Sequence, residues 1–387
     1  MIKEIKYPEI EKEISHKKEE NISSDEIDEE FEKCKKNPHK YICDWMGRNL
    51  LYVGEKSFGI ISLFICSLML PDINFNSTNI KASFNVLLLA PPSSGKSTIC
   101  RKVEELSFNP YSIRKVSAYQ LAIDLSNLEI FTLILEDFSQ IGNDYDVIKV
   151  MEGAVGDERR ISLVNKNTHV DANVRGIGLL CGTWNDLGRY FEYFKSGTLF
   201  RYNLLFLDLD EEEKINIGRY INDGIGNEKD SAKTKLQEKA VKKYYLELQN
   251  IMSGENKSIP QIKKYYFDEN FKKEIFELWN KATKKYSSLD YNFNREMHEG
   301  YRIAVSSALL NIFNRKIDKD GMIFPEEQDF NIAKKFMINN INNKVAILNC
   351  RSLIKSSTAE EIRALLSDNR LSSTKKKILA NLYGYKH

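Results

Sequence analysis

Apolar residues recur along this chain in two rhythms. Unbroken apolar runs occupy Val86–Leu89, most of Glu129–Leu135, Ile177–Cys181 and most of Asn203–Leu207. Such runs predict strands buried on both faces, and hence a parallel sheet. Tyr111–Val116 predicts a further strand, and Tyr145–Ala154 a helix. Arg159–Asp171 differs. Ile161 and Leu163 alternate with polar neighbours until Asn165, Lys166 and Asn167 break the pattern, which predicts a β-hairpin with Lys166 at its tip.

The second rhythm is helical. It recurs at Lys235–Met252, Glu269–Lys284, Glu296–Phe313 and Glu326–Ile341, after a linker-like stretch from Asp223 to Asp230. His39–Leu70 is also apolar and helical. Its Phe58–Leu70 run is short for a bilayer and interrupted by Gly59, Ser62 and Ser67, so a buried helix is expected, with no membrane contact. Pro71–Lys81 has loop character. Residues 1–38 form a charged arm, helical or disordered, with an acidic cluster from Asp25 to Glu32. The expected division is 1–38, 39–222 as an α/β core with its N-terminal helices, 223–345 as a helical segment, and 346–387 as a basic tail.

Composition narrows the partners. The 387 residues suffice for roughly two or three domains, and a net charge of +2 confines any nucleic-acid contact to a local patch. The six cysteines, Cys34, Cys43, Cys66, Cys100, Cys181 and Cys350, show no zinc-ligand or disulfide spacing. Reduced thiols and the charged opening Met1–Lys6, which lacks signal-peptide character, fit a cytoplasmic protein.

The chemistry gathers at Val86–Thr98. The strand runs into Ala90, Pro91, Pro92, Ser93, Ser94, Gly95, Lys96, Ser97 and Thr98, and Thr98–Val103 is compatible with a helix. Strand, phosphate loop and helix are the context of a Walker A motif. Loop N–H groups and the positive end of the helix hold phosphates. Lys96 reaches the β- and γ-phosphates, and Ser97 offers a hydroxyl to Mg²⁺. Ala90 replaces the usual first glycine, and Pro91-Pro92 stiffens the loop. The residues read as a site for a nucleoside triphosphate, ATP with Mg²⁺.

Downstream residues extend the site. Glu136 and Asp137 end an apolar strand in the Walker B manner, one acid for the metal and one for the attacking water. Asn185 follows the strand ending near Gly182, where a polar side chain reaches the γ-phosphate or the water. Arg201 precedes the strand at Asn203, where it projects toward a neighbouring subunit or forms a surface salt bridge.

In this order the motifs resemble the AAA+ ATPases, specifically the MCM-like branch of replicative helicases. Leu135-Glu136-Asp137-Phe138 is similar to that branch's Walker B. Met151-Glu152 and Arg160–Lys166 resemble the segment leading into its pre-sensor-1 hairpin. Asn185 with Gly188-Arg189-Tyr190 resembles sensor 1 and its following residues. Leu199–Leu204 resembles the segment whose arginine acts in trans, and Arg295–Ala304 repeats the spacing of the lid-domain arginine motif. The resemblance covers residues 84–345 and extends to related ATPases of phages, plasmids and integrated elements. It departs in the Glu-Asp order, and the chain lacks room for the helical insertion and N-terminal domain of MCM proteins.

The resemblance implies an α/β fold with a P-loop AAA+ core, a helical lid over the nucleotide, and homo-oligomers in a hexameric ring. Lys96, Ser97, Glu136 (metal), Asp137 (water) and Asn185 then act in cis, Arg201 enters from a neighbour, and Arg295 becomes the sensor-2 candidate. Lys166 would line the pore, or cap a purely structural hairpin. In the tail, Thr358–Glu361 has capping-box form, Ile362, Leu365 and Leu366 face inward, and a second helix from Ser373 turns Ile378, Leu379 and Leu382 inward. This resembles a helix-turn-helix or winged-helix module, with Lys375, Lys376 and Lys377 either on DNA or simply solvated. The expected function is an ATP-dependent DNA helicase or translocase in replication of a mobile element or virus, with a primase or another replication protein as partner. The alternative is a nucleotide-switched DNA-binding protein that loads, initiates or regulates without processive unwinding.

Overall fold

The computed structural model describes residues 22–50, 55–75, 78–91, 94–113, 115–137, 140–141, 144–157, 159–165, 168–183, 201–207, 215, 228–289, 291–368 and 371–384. In chain order the elements begin with helices α1 (Ser24–Lys36), α2 (Pro38–Leu50) and α3 (Glu55–Ser67). There follow strands β1 (Ile73–Phe75), β2 (Thr78–Ile80) and β3 (Asn85–Leu89), then α4 (Lys96–Leu106), β4 (Pro110–Ser112), α5 (Ala118–Leu128), β5 (Ile130–Leu135) and α6 (Tyr145–Val155). Next come β6 (Arg160–Asn165), β7 (Thr168–Asn173), β8 (Arg175–Gly182) and β9 (Tyr202–Phe206). The remainder is α7 (Glu228–Ser253), β10 (Lys264–Tyr265), α8 (Glu269–Lys285), α9 (Asn294–Leu310), β11 (Met322–Ile323), α10 (Glu327–Ser356), α11 (Ala359–Ser367) and α12 (Ser373–Gly384).

The apolar runs pair as a five-stranded sheet in the order β4-β5-β8-β3-β9, parallel throughout. Successive side chains alternate between its faces. Val86, Leu88, Ile134, Ile177, Leu179 and Cys181 enter a core shared with helices α1 to α4 and α7 to α9. Leu87, Leu89, Phe131, Leu133, Leu135 and Leu180 enter a second core with α5, α6 and the tail helices. The protein is therefore α/β, with helices covering both faces of a parallel sheet. Gly176 permits one of the tightest contacts, because a Cβ there would stand 2.5 Å from the Phe131 ring and 2.8 Å from the Ala154 carbonyl.

The apolar Phe58–Leu70 run is an interior helix, with 59–68 buried. No helix among the described residues is long and apolar enough to cross a membrane. Several expected boundaries move. Strand β4 is confined to Pro110–Ser112, and Pro71–Lys81, read as loop, contains the antiparallel pair β1-β2. Helix α5 was not anticipated at all, although Ser117 caps it by accepting from Gln120 N–H, and Leu121, Ala122 and Leu125 form its buried stripe.

The largest revision concerns α10. The expected division at 345/346 falls inside this continuous helix. Its first half, with Ala333, Met337 and Ile341, belongs to the first core, while Ile347, Cys350 and Ile354 belong to the second. Between them the helix passes edge strand β9. Asn340 Oδ1 accepts from Leu204 N–H at 2.9 Å, and Asn343 Nδ2 donates to Leu204 C=O at 2.8 Å. Two side-chain amides thus replace a neighbouring strand at that residue, and protect an edge that would otherwise present unpaired groups.

Candidate functional site

The carboxyl ends of β3, β8 and β5 lie side by side. Leu135 is level with Leu180, and Leu180 with Leu87, so Glu136 and Asp137 emerge within a residue or so of the level at which β3 becomes the loop. Ala90 N–H donates to Gly182 C=O at 3.1 Å, which fixes the loop's first residue against β8. Crevices beyond the carboxyl ends of parallel strands, where successive connections diverge, are the usual ligand sites of such sheets.

Gly95 sits at the N-cap of α4 with φ +84°, in the left-handed region where a side chain would be strained. It supplies no side-chain cap, and the first turn of α4 contains no acid. The partial positive charge of that helix end is therefore not offset locally. Ser94 is 3% exposed and its Oγ has no partner. Lys96 folds back so that Nζ donates to Pro91 C=O at 2.8 Å and Ala90 C=O at 3.2 Å. Ser97 is exposed, Thr98 half-buried, and Pro92 and Ser93 lie outside the described residues. An open helix end, an ammonium group and the unpartnered Ser94 hydroxyl together make a receptor for an anion.

Alternation along β5 separates the two acids by side. Ile134 lies on the face covered by α4, and Glu136 continues that side while Leu135 faces the other core. Cys181, level with Glu136, touches Cys100 of α4 at a sulfur–sulfur distance of 3.4 Å. Contact with Cys100 and burial push the Cys181 thiol well above its ordinary pKa, while Lys96 and Glu136 act on it in opposite senses. One thiol on β8 thus feels both the loop lysine and the strand-end carboxylate. Asn185 lies outside the described residues, two positions beyond Thr183, where β8 emerges between the loop and the acids.

The arginines lie elsewhere. Arg201 precedes Tyr202, whose register partner is Asn85 at the start of β3, so it occupies the amino end of the sheet, opposite Lys96. Its Nη1 lies beside Gly156 and its Nε has no partner. Arg295 acts electrostatically on Asp157, which pairs with Arg302 at 2.8 Å. Arg302 Nε in turn donates to Lys81 C=O at 2.7 Å, just before β3. Helix α9 thus brings Arg302 to the amino end of the sheet, where its guanidinium is held by Lys81 C=O, Asp157 and Glu299, and Arg295 lies near the same carboxylate of Asp157.

That end contains a polar network without a sequence signature. Lys81 is 3% exposed, and its ammonium donates to Val155 C=O at 2.9 Å and to Gly176 C=O. Burial, followed by the charge of Arg302, pushes its pKa down to about 7. Asn203 joins Asn85 C=O to Glu299 Oε2. Polar Asn85 and Asn203 inside apolar strands were the available clue; nothing marked Lys81.

Strands β6 and β7 form the expected antiparallel hairpin, with Asn165 opposite Thr168. Its base packs through Ile161 while Val164 is 72% exposed; Lys166 lies outside the described residues. At its root Arg159 adopts a φ of +52°, accepts from Val174 N–H and pairs with Asp72. In the tail, the Thr358–Glu361 capping box forms, and Ile362, Ile378 and Leu379 are buried. Lys375 is exposed, whereas Lys376 and Lys377 are half-buried, so the basic triplet does not present three equivalent charges. Neither a scan against protein-family models nor a search of curated proteins finds a match for the chain.

Proposed function

We propose that this chain is an ATPase resembling the AAA+ proteins of the MCM-like branch, and that hydrolysis drives its movement on DNA. The observation that carries the reading is the shared end and shared face of Lys96, the open α4 terminus and Glu136 across β3, β8 and β5. The Ser97 hydroxyl and Glu136 carboxylate are hard oxygen donors that suit Mg²⁺. No group of three or more His, Cys, Asp or Glu able to hold a metal occurs among the described residues, so phosphate oxygens and water would complete the shell. Bound Mg²⁺ would neutralise charge on the transferring phosphoryl group. Lys96 and loop N–H groups orient the phosphates, and Asp137, on the other side of the strand end, polarises water.

Arg201 and Arg295 lie at the far end of the sheet, which favours their action on a neighbouring copy in a ring. Lys166 and Lys375 are the DNA-facing candidates, and a primase-like replication protein suits such an assembly. Strand displacement on forked DNA, measured beside ATP hydrolysis, tests this reading. ATP-dependent unwinding supports it, and absence of ATP hydrolysis overturns it.

One observation favours the second reading, a nucleotide-switched DNA-binding protein. The helices expected as a lid are joined to the core by Glu299–Asn203 and Asn340–Leu204. Those buried contacts oppose large lid rotation. ATP-dependent DNA binding without strand displacement would select this reading.

A further inference from the structure

A cavity of about 220 Å³ lies between α3, β9 and α10, lined among others by Ile60, Leu205, Phe336, Asn339, Asn340 and Asn343. Its wall contains an unused donor. Asn340 is 3% exposed, its Oδ1 accepts from Leu204 N–H at 2.9 Å, and its Nδ2 has no partner. The amide cannot turn over to hide that donor, because a backbone N–H can only be accepted by Oδ1. A buried donor left unpaired is costly, so its retention points to a ligand atom.

The neighbours define that ligand. Asn343 stands one turn from Asn340 on the same side of α10 and donates its Nδ2 to Leu204 C=O at 2.8 Å, leaving Oδ1 as its acceptor. Phe336, one turn earlier, adds an aromatic ring to the wall. A donor, an acceptor and a ring match adenine, which presents a ring-nitrogen acceptor beside its exocyclic amine and a flat face for stacking.

Position connects the cavity with the phosphate loop. Phe206, at the cavity's upper end, pairs with Leu89, one residue before Ala90, and Leu207 N–H donates to Leu89 C=O at 2.9 Å. Glu136 lies on the other side of β3, beyond β8. A nucleotide whose terminal phosphate turns toward Glu136 has its base turned toward β9.

We infer that this cavity is the base subsite and that Asn340 and Asn343 select adenine. The inference rests on the nucleotide reading above. Calorimetric titration of ATP, GTP and inorganic triphosphate, each with Mg²⁺, tests it on wild type, Asn340→Asp and Phe336→Leu. Asn340→Asp keeps an acceptor for Leu204 but removes the donor, so ATP affinity falls at least about tenfold, GTP loses less, and triphosphate binding is unchanged. Phe336→Leu weakens ATP to a smaller degree, again sparing triphosphate. Unchanged circular dichroism and melting temperature establish that each variant is folded. Wild-type ATP affinity in both folded variants, or equal loss of ATP and triphosphate, overturns the base subsite and leaves the phosphate cradle standing. Failure of wild type to bind ATP and triphosphate alike overturns both readings.

Discussion

Lys344 Nζ lies 2.5 Å from Glu296 Oε1, with both side chains fully excluded from solvent, and thereby links α10 to α9 beneath the sheet edge. Tyr291 adds a hydrogen bond to the same oxygen at 2.9 Å. Removing one partner leaves a buried charge uncompensated, so Lys344→Met is expected to destabilise the fold by about 3–5 kcal/mol. Adding Glu296→Gln should recover much of that loss. Urea unfolding of the single and double variants measures it, and a neutral single variant would show that the pair contributes nothing.

Lys81 gives stability a distinctive pH dependence. Its folded pKa, near 7, lies below its ordinary value of 10.5, so between these limits the unfolded chain binds more protons than the native one. Its contribution to stability therefore rises with pH above about 7 and levels off near 10.5, while below 7 the buried charge carries its full penalty. Urea midpoints from pH 6 to 9.5 should climb more steeply for wild type than for Lys81→Met. Parallel curves would contradict the assignment.

The two strand-end acids should separate kinetically. Asp137→Asn is expected to lower kcat for ATP by roughly 10²–10⁴ with little change in KM, as for loss of a general base. Glu136→Gln, on the α4 side, should instead raise the Mg²⁺ concentration needed for half-maximal rate. Reversal of these two phenotypes would exchange the roles.

Arg201 offers a test of shared sites. Its place at the opposite end of the sheet from Lys96 predicts that Arg201→Ala lowers turnover by roughly 10³–10⁵ without weakening ATP binding. Mixing it with Lys96→Ala should restore partial activity, because some interfaces then combine an intact loop with an intact arginine. No recovery across mixing ratios, with assembly verified by light scattering, would sink the intersubunit role.

The phosphate loop was legible because its determinants are contiguous. Val86–Leu89, the left-handed Gly95 and the uncapped start of α4 lie within one short stretch. The hairpin at Arg160–Asn173 and the capping box at Thr358 were legible for the same reason, since alternation and capping act over a few residues. Helix α5 is less legible, because its buried stripe is only Leu121, Ala122 and Leu125, too few positions to establish a helical period, although Ser117 caps it.

The apolar strands, the loop and its acids are written in short contiguous stretches, and their chemistry follows from residue type and near neighbours. That β8 lies between β3 and β5, so that Lys96 and Glu136 both act electrostatically on Cys181, emerges from the assembled sheet. The tertiary structure also carried Arg201 and Arg295 away from the Lys96 end, ran α10 past the expected division, and buried Lys81 and Asn340. Strand order and burial depend on surfaces contributed by segments distant in sequence, and neither periodicity nor spacing along the chain specifies which surfaces meet.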